Sequence, residues 1–302
     1  MQQSHVGATF ALVAMTIWGI APVYFVLVGF ASPMEILSHR IFWSVPLLCL
    51  IISLVGQWGD VSRLSFREYG LLFASSICLA INWLAFIVAI SEEKIVETSI
   101  GYFINPLVSI FLGWIFLKER LRYGQWIAVL FALVGVCWEL YSDRLIPVFG
   151  LTLAVSFGIY GLLRKQVNLP AATGLLVECC FLLPLVLVFG VFFDISLEFR
   201  SDGQFALLML GGVITVVPLL FFTAATIRLP LVILGVIQYV APTLSLLIAV
   251  LVYEEGVSDA RWLTLTMIWL GLLVFSGEGF YQLFLGRRKV TSGDQKDLSP
   301  DR

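Results

Sequence analysis

The chain has 302 residues, of which 60% are hydrophobic and 13% charged, and its mean hydropathy is +1.00. A soluble domain of this length lacks the interior to bury so much apolar surface, whereas a bilayer can surround it. The formal net charge of −2 gives no electrostatic basis for binding nucleic acid. The cysteines lie in apolar stretches without metal-ligand spacing, so we expect no disulfide, metal or cofactor.

Ten apolar runs are long enough to cross a membrane, since a spanning helix needs about 20 apolar residues. The connections between them are too short for a soluble domain. We expect the first run to be retained, because no basic segment precedes it and it is too long for a signal peptide. The polar tail, 286–302, is expected to be disordered and cytoplasmic. The predicted spans are 6–28, 34–55, 69–90, 97–117, 124–141, 147–163, 170–192, 205–227, 231–252 and 262–284.

The distribution of basic residues predicts that both termini are cytoplasmic. With the N-terminus placed inside, thirteen of the 18 Lys and Arg residues fall in cytoplasmic segments and four in outer loops, while Arg40 lies within a span. Short loops rich in Lys and Arg stay on the cytoplasmic side of a membrane. The outer four are Lys94, Arg144, Arg200 and Arg261.

Two halves of the chain resemble each other in order and spacing. A shift of 136 residues places Pro106 on Pro242, a shift of 138 places Pro46 on Pro184, and a shift of 142 places "TIWG" on "GIYG". We therefore divide the chain into a first five-helix repeat, 1–141, and a second, 142–285.

An odd number of spans per repeat requires the second repeat to be inverted relative to the first. The charges agree, because segment 118–126, "KERLRYGQW", is basic and its counterpart 254–262, "EEGVSDARW", is acidic. The sequence thus predicts an all-α polytopic membrane protein with ten transmembrane helices in two inverted repeats, an arrangement common among secondary transporters.

The fourth span carries a polar stripe around a proline. Tyr102 and Asn105 lie on one helical face with Thr98 and Ser109, and Pro106 removes a backbone hydrogen bond within the membrane. Gln238, Tyr239 and Pro242 repeat the pattern more weakly. One interpretation is that the prolines bend the helices during transport and the polar groups touch substrate. The other is that the prolines only shape helices and the amides only hold neighbouring helices together.

Two charges lie well inside predicted spans, and the shift of 138 makes them counterparts. Arg40 is a candidate for binding substrate, unless it only extends outward toward Glu35 or Glu97. Glu178 is a candidate for binding a coupling proton or a cationic group, unless it makes a structural hydrogen bond. Two further residues, Trp18 and Asn82, complete the predicted pathway.

Four stretches resemble the bacterial RarD proteins of the EamA branch of the drug/metabolite transporter superfamily. They are "WGIAPVYF", "EILSHRIFWS", "GYFINPLVSIFLG" and "TAATIRLPLVILGVIQYVAPTL". The resemblance covers nearly the whole chain except the tail. It implies a ten-helix carrier of the bacterial inner membrane that often exports amino acids or other metabolites.

A secondary active transporter is therefore the favoured function, with a small polar metabolite, such as an amino-acid-like compound or a drug, as substrate. A channel or scaffold is the alternative. A membrane-embedded enzyme is disfavoured, because two histidines offer few catalytic groups. No Walker A loop is present, so the energy for transport is expected to come from ion or substrate gradients. The expected partners are the substrate, a coupling ion (proton or sodium) and membrane lipid; a homodimer stays open.

Overall fold

The structure is a computed structural model that describes residues 2–92, 94–144, 146–167, 169–192, 201–254 and 256–294. Twelve helices cover most of these residues. They are α1 (Gln2–Leu27), α2 (Pro33–Val55), α3 (Trp58–Ser62), α4 (Phe66–Ser91), α5 (Ile95–Phe116), α6 (Tyr123–Asp143), α7 (Val148–Gln166), α8 (Ala171–Phe192), α9 (Asp202–Thr226), α10 (Leu231–Gln238), α11 (Val240–Val252) and α12 (Asp259–Asp294).

The ten predicted membrane spans are confirmed. Ten helical segments of the described chain are long and apolar enough to cross a bilayer, and each coincides with one predicted run. The ninth, Leu231–Val252, combines α10 and α11. The short helix α3 lies in the connection after the second span.

Local capping explains where several of the spans begin. Ser32 Oγ accepts a hydrogen bond from the Glu35 amide at 3.2 Å at the start of α2, and Pro33 occupies the first turn. A reciprocal capping box between Ser65 and Glu68 starts α4. These side chains satisfy amides that no helical carbonyl can reach.

Helices α1–α5 and α7–α11 form one compact unit with a large apolar core. Helices α6 and α12 form a second unit, in which small residues allow close packing. A Cβ at Gly135 would lie 3.0 Å from the Thr264 carbonyl oxygen, and one at Gly271 would lie 2.9 Å from the Ala128 carbonyl oxygen. Since a shift of 136 relates both pairs, the α6–α12 packing is itself pseudo-symmetric.

The predicted repeat is confirmed by the helix boundaries. Under the shift of 136, the starts of α4, α5 and α6 fall on the starts of α9, α10 and α12, and the end of α5 falls on the end of α11. The turns that follow α5 and α11 also match, because Lys118 and Glu254 are counterparts and both have positive φ angles, 55° and 53°.

The inversion follows from where equivalent connections lie. Val61 and Leu64, between α2 and α4, pack in one cluster with Val167 and Leu169, between α7 and α8. The α7–α8 connection therefore lies at the end of the bundle where α2 ends and α4 begins. Its counterpart, the α1–α2 connection, lies at the other end of α2. Equivalent connections at opposite ends require inverted repeats.

The last helix extends into the segment predicted as a disordered tail. Helix α12 continues to Asp294, through a stretch containing Arg287, Arg288 and Lys289. Arginine and lysine are good helix formers, so the loss of hydrophobicity at Gly286 ends the membrane span without ending the helix. Residues 295–302 lie outside the described residues.

Candidate functional site

The predicted polar stripe contains buried polar groups without partners. Gln238 and Tyr239 are each 3% exposed, and neither the Gln238 amide nor the Tyr239 hydroxyl has a hydrogen-bond partner among the described residues. The Oδ1 atom of Asn105 is buried and unpaired in the same sense. An unpaired buried polar atom costs about 1–3 kcal/mol, so these groups are in position to gain from a polar ligand.

The packing of α5 against α10 brings these residues to the same level. A Cβ at Gly113 would lie 3.0 Å from the Leu231 Cβ, and a Cβ at Gly235 would lie 2.8 Å from the Pro106 carbonyl oxygen. The two helices thus run in opposite directions along their contact. One further turn of α10 places Gln238 at the level of Tyr102 and Asn105.

The two prolines have different effects on their helices. Pro242 lacks the N–H that would bond the Gln238 carbonyl, and the ninth span is broken there into α10 and α11. The Tyr239 amide bonds Val236 O at 3.3 Å, a tighter turn than the α-helix. In contrast, α5 continues through Pro106. The helix is therefore broken near the proline of the second repeat and continuous through that of the first, and the bending of both helices during transport stays a prediction.

Arg40 lies in a cavity of about 260 Å³ at the end of the bundle where α1 ends, α2 begins and α4 ends, here called the Arg40 end. Its Nε donates to Thr215 Oγ1 at 2.8 Å. Its guanidinium carbon is 5.5 Å from the Phe25 ring centroid and 5.3 Å from that of Trp83. The structure places Arg40 against α9 and two aromatic rings.

Tyr102 is the residue of the polar stripe that lies near Arg40. Its side chain is 46% exposed, and it lies within electrostatic range of Arg40 on α2. The predicted contacts of Arg40 and Tyr102 with substrate stay predictions.

Glu178 lies at the opposite end, where α7 ends, α8 begins and α10 begins, here called the Glu178 end. The carboxylate is fully buried. One oxygen accepts a short hydrogen bond from Ser75 Oγ and lies 3.7 Å from Arg164 Nη1. The other accepts from the Tyr160 hydroxyl at 3.4 Å. The described partners of Glu178 are therefore supplied by α4 and α7.

Arg164 is the functional candidate that sequence reasoning missed, because it was counted among cytoplasmic loop cations. It is 2% exposed, and Gly174 makes room for it, since a Cβ there would overlap the guanidinium. A signal was present: Tyr160 and Arg164, and likewise Gly174 and Glu178, are four residues apart and share helical faces.

An aromatic cluster lies beside the Glu178 site. The Trp18 ring centroid is 5.5 Å from that of Phe157 and 5.6 Å from that of Phe222, and Tyr160 packs on both phenylalanines. Trp18 thereby belongs to an aromatic cluster that joins α1, α7 and α9, and its place in the transport pathway stays a prediction.

Asn82 makes contacts typical of helix packing. Its amide nitrogen donates to Leu153 O at 2.9 Å and to Ser156 Oγ at 3.0 Å, both on α7. These bonds join α4 to α7. Its predicted contact with substrate stays a prediction.

The Arg40 and Glu178 sites are counterparts in the repeat. Ser75 on α4 bonds Glu178 on α8, and its counterpart on α9, Gly211, lies against Arg40 on α2, where a Cβ would be 3.0 Å from Arg40 Cγ. The same position of the fold thus holds a cation at one end and a carboxylate at the other.

A family model described as the EamA-like transporter family matches residues 5–140 and 145–277, once in each repeat. The chain belongs to the EamA-like transporter family. Its relatives identify it as a member of the RarD branch of this family, as the resemblance implied. It is 42% identical to Protein RarD of Salmonella typhi over 93% of this chain and 97% of the relative.

A second relative and a solved structure agree with this membership. The chain is 40% identical to an uncharacterized transporter of Vibrio cholerae serotype O1, over 95% of this chain and 97% of that protein. A solved crystal structure shares the fold with a TM-score of 0.72, covering 89% of this chain and 96% of its own, at 16% identity. The EamA-like chain is thus a multi-pass protein of the bacterial inner membrane from a transporter family.

Proposed function

We propose that the chain is a secondary active transporter that exports a small polar metabolite across the inner membrane by alternating access, with both termini in the cytoplasm. The observation that carries the proposal is the set of unpaired polar groups on Asn105, Gln238 and Tyr239, at the proline break of the ninth span. A structural role alone would leave the free-energy cost of these groups uncompensated, whereas a bound polar substrate would satisfy them.

The two ends of the bundle differ as alternating access requires. A cavity is present at the Arg40 end. At the Glu178 end, the buried Arg164–Glu178 pair and the aromatic cluster lie between the helices. With the predicted orientation, the Arg40 end faces outward and the Glu178 end faces the cytoplasm. Transport then includes a step that separates the pair and opens the cytoplasmic end.

A second network holds the cytoplasmic end together. The Glu119 carboxylate accepts from the amides of Leu231 and Val232 at 2.8 and 2.9 Å, at the positive end of the α10 dipole. Lys165 lies 3.7 Å from the same carboxylate and also donates to Thr226 O and Leu229 O. These bonds connect α5, α7, α9 and α10 in the proposed cytoplasm-closed state.

Coupling to a proton fits this arrangement through Glu178. A proton on the carboxylate would remove its attraction for Arg164 and favour opening. In the cytoplasm-open state, water that enters would hydrate the carboxylate and let it release its proton to the cytoplasm. Coupling to sodium, the other predicted mode, stays a prediction.

Counterflow in proteoliposomes tests the proposal with a panel of radiolabelled amino acids and aromatic carboxylates. We expect saturable counterflow of at least one compound, and Gln238→Leu should raise its KM by about tenfold or more. Because the Gln238 amide is unpaired, this substitution should not lower the Tm. Non-saturating flux would favour the channel alternative, and no flux for any compound would contradict the proposal.

A matched control is Gln125, a second buried amide, which lies at the start of α6. It is 8% exposed, and its Oε1 accepts from the Arg122 amide at 2.8 Å. Gln125→Leu breaks a helix cap and should lower the Tm, at a cost of about 0.5–2 kcal/mol, with KM unchanged. The pair of variants thus separates substrate contact from helix packing.

A further inference from the structure

Arg40 is a cation without a carboxylate partner among the residues that the structure describes. Of its five N–H donors, the one on Nε is used by Thr215. The described hydrogen bonds of Arg40 do not use the four on the two Nη atoms. The rings that its guanidinium carbon lies over, Phe25 and Trp83, offer π faces, which stabilise a cation but accept no strong hydrogen bond.

An unpaired guanidinium within a spanning segment is costly unless a partner or water reaches it. The other repeat shows how this fold position is used when its partner is present. There, Glu178 lies 3.7 Å from the Arg164 guanidinium and also accepts from a serine and a tyrosine hydroxyl. At the Arg40 end, Arg40 is the cation of a comparable pair. The cavity beside Arg40 lies where the carboxylate of that pair would be.

The cavity walls restrict what can fill this place. Apart from Arg40, the lining is apolar, with aromatic side chains prominent: Phe25, Ile36, Leu37, Trp83 and Phe86 are among its residues. The volume of about 260 Å³ lies just below the roughly 300–1,000 Å³ usual for drug-sized ligands. A small compound with one anionic group and an apolar or aromatic remainder matches both the charge and the walls.

We propose that the Arg40 cavity binds the carboxylate of an organic acid end-on, through the two Nη groups, with the acid's apolar or aromatic part against Phe25 and Trp83. Since Thr215 fixes Nε from the side, the two Nη atoms present parallel N–H groups that fit the two carboxylate oxygens. The assignment rests on the proposed transport function and names its substrate class as small aromatic or apolar carboxylates.

Three acids paired with their primary amides test the assignment on the purified full-length protein in detergent. The probes are phenylacetate, 3-phenylpropanoate and indole-3-acetate, each against the amide of the same shape. Dissociation constants are obtained from the dependence of Tm on ligand concentration. We expect at least one acid to bind about tenfold or more tightly than its amide, and Arg40→Gln to remove that preference.

Arg228→Gln provides the matched control, because Arg228 also lies over an aromatic ring, with its guanidinium carbon 5.3 Å from the Phe10 centroid, and donates to a backbone carbonyl. It removes the same charge outside the cavity and should keep the acid preference. Equal binding of acids and amides, no binding of any acid, or an acid preference that survives Arg40→Gln would overturn the assignment.

A labelling experiment keeps the test decisive if Arg40→Gln fails to fold. Ile36→Cys, in a background without the native cysteines, places a thiol in the cavity wall. The preferred acid should slow its reaction with a maleimide, and the matched amide should not; equal protection by both would overturn the assignment. Acid binding without counterflow would contradict the proposed transport and support this site. Counterflow of neutral compounds alone would support transport and contradict this site.

Discussion

The buried pair of Arg164 and Glu178 offers the sharpest test of the energetics. Glu178 is fully buried and Arg164 is 2% exposed, so water cannot compensate either charge when the other is removed. Glu178→Gln keeps the shape of the side chain and removes the charge. It should destabilise the protein by about 3–5 kcal/mol, because it leaves the guanidinium without its counter-ion.

The expected loss of stability has two sources, the charge of Glu178 and the hydrogen bonds of Arg164. The Nε and Nη1 atoms of Arg164 have no described hydrogen-bond partner, and its Nη2 has only a weak bond to Ala171 O at 3.4 Å. The guanidinium therefore depends on the Glu178 charge, 3.7 Å away, more than on hydrogen bonds. Arg164→Met, which keeps an unbranched side chain without charge, should cost a similar amount, because it leaves the carboxylate unpaired.

The assay is a double-mutant cycle measured by thermal unfolding of purified protein in detergent. The double variant, Arg164→Met with Glu178→Gln, should be about 1–3 kcal/mol more stable than the sum of the two single effects. Additivity of the single effects to within about 0.5 kcal/mol would refute the reasoning, since independent sites add to that extent. In that case Glu178 would be held by its hydroxyl partners and not by the pair.

Three further predictions use glycine packing, topology and the proline break. Gly174→Ala should destabilise the protein by about 1–3 kcal/mol in thermal unfolding, because its methyl group would displace the buried Arg164 guanidinium. Gly70→Ala is the control and should be neutral or stabilising, because a Cβ there meets no atom within 4 Å. Cysteines at Tyr123 and Ser258, without the native cysteines, should react with impermeant reagents from opposite faces of the membrane; reaction from one face would contradict the inverted topology. Pro242→Ala restores the N–H missing at the helix break and should lower the turnover number more than it changes KM in counterflow, whereas a change in KM alone would argue against bending there.

Much of the fold could be predicted from the sequence because the signals are local. Hydropathy over about 20 residues located all ten spans, since a bilayer requires each span to be apolar along its own length. The repeat was readable because Pro106 and Pro242, and the turns after them, keep a spacing of 136. The inversion followed from the odd number of spans in each repeat.

The candidate site could be predicted only in part, because its contacts join helices that are distant in the sequence. Polar type and spacing identified Asn105, Gln238 and Tyr239, which carry buried polar atoms without a hydrogen-bond partner among the described residues. Whether Asn82 bonds a neighbouring helix, however, depends on how α4 is rotated against α7. No local pattern contains that rotation.

Tertiary structure alone decided the partners of the two membrane charges. Sequence reasoning related Arg40 and Glu178 by the repeat, and the structure places them at opposite ends, in different surroundings. Glu178 lies beside Arg164 because α7 and α8 form a hairpin and Gly174 leaves room for the guanidinium. Ionic partners are set by distances between helices, and hydropathy and spacing specify each helix without specifying those distances.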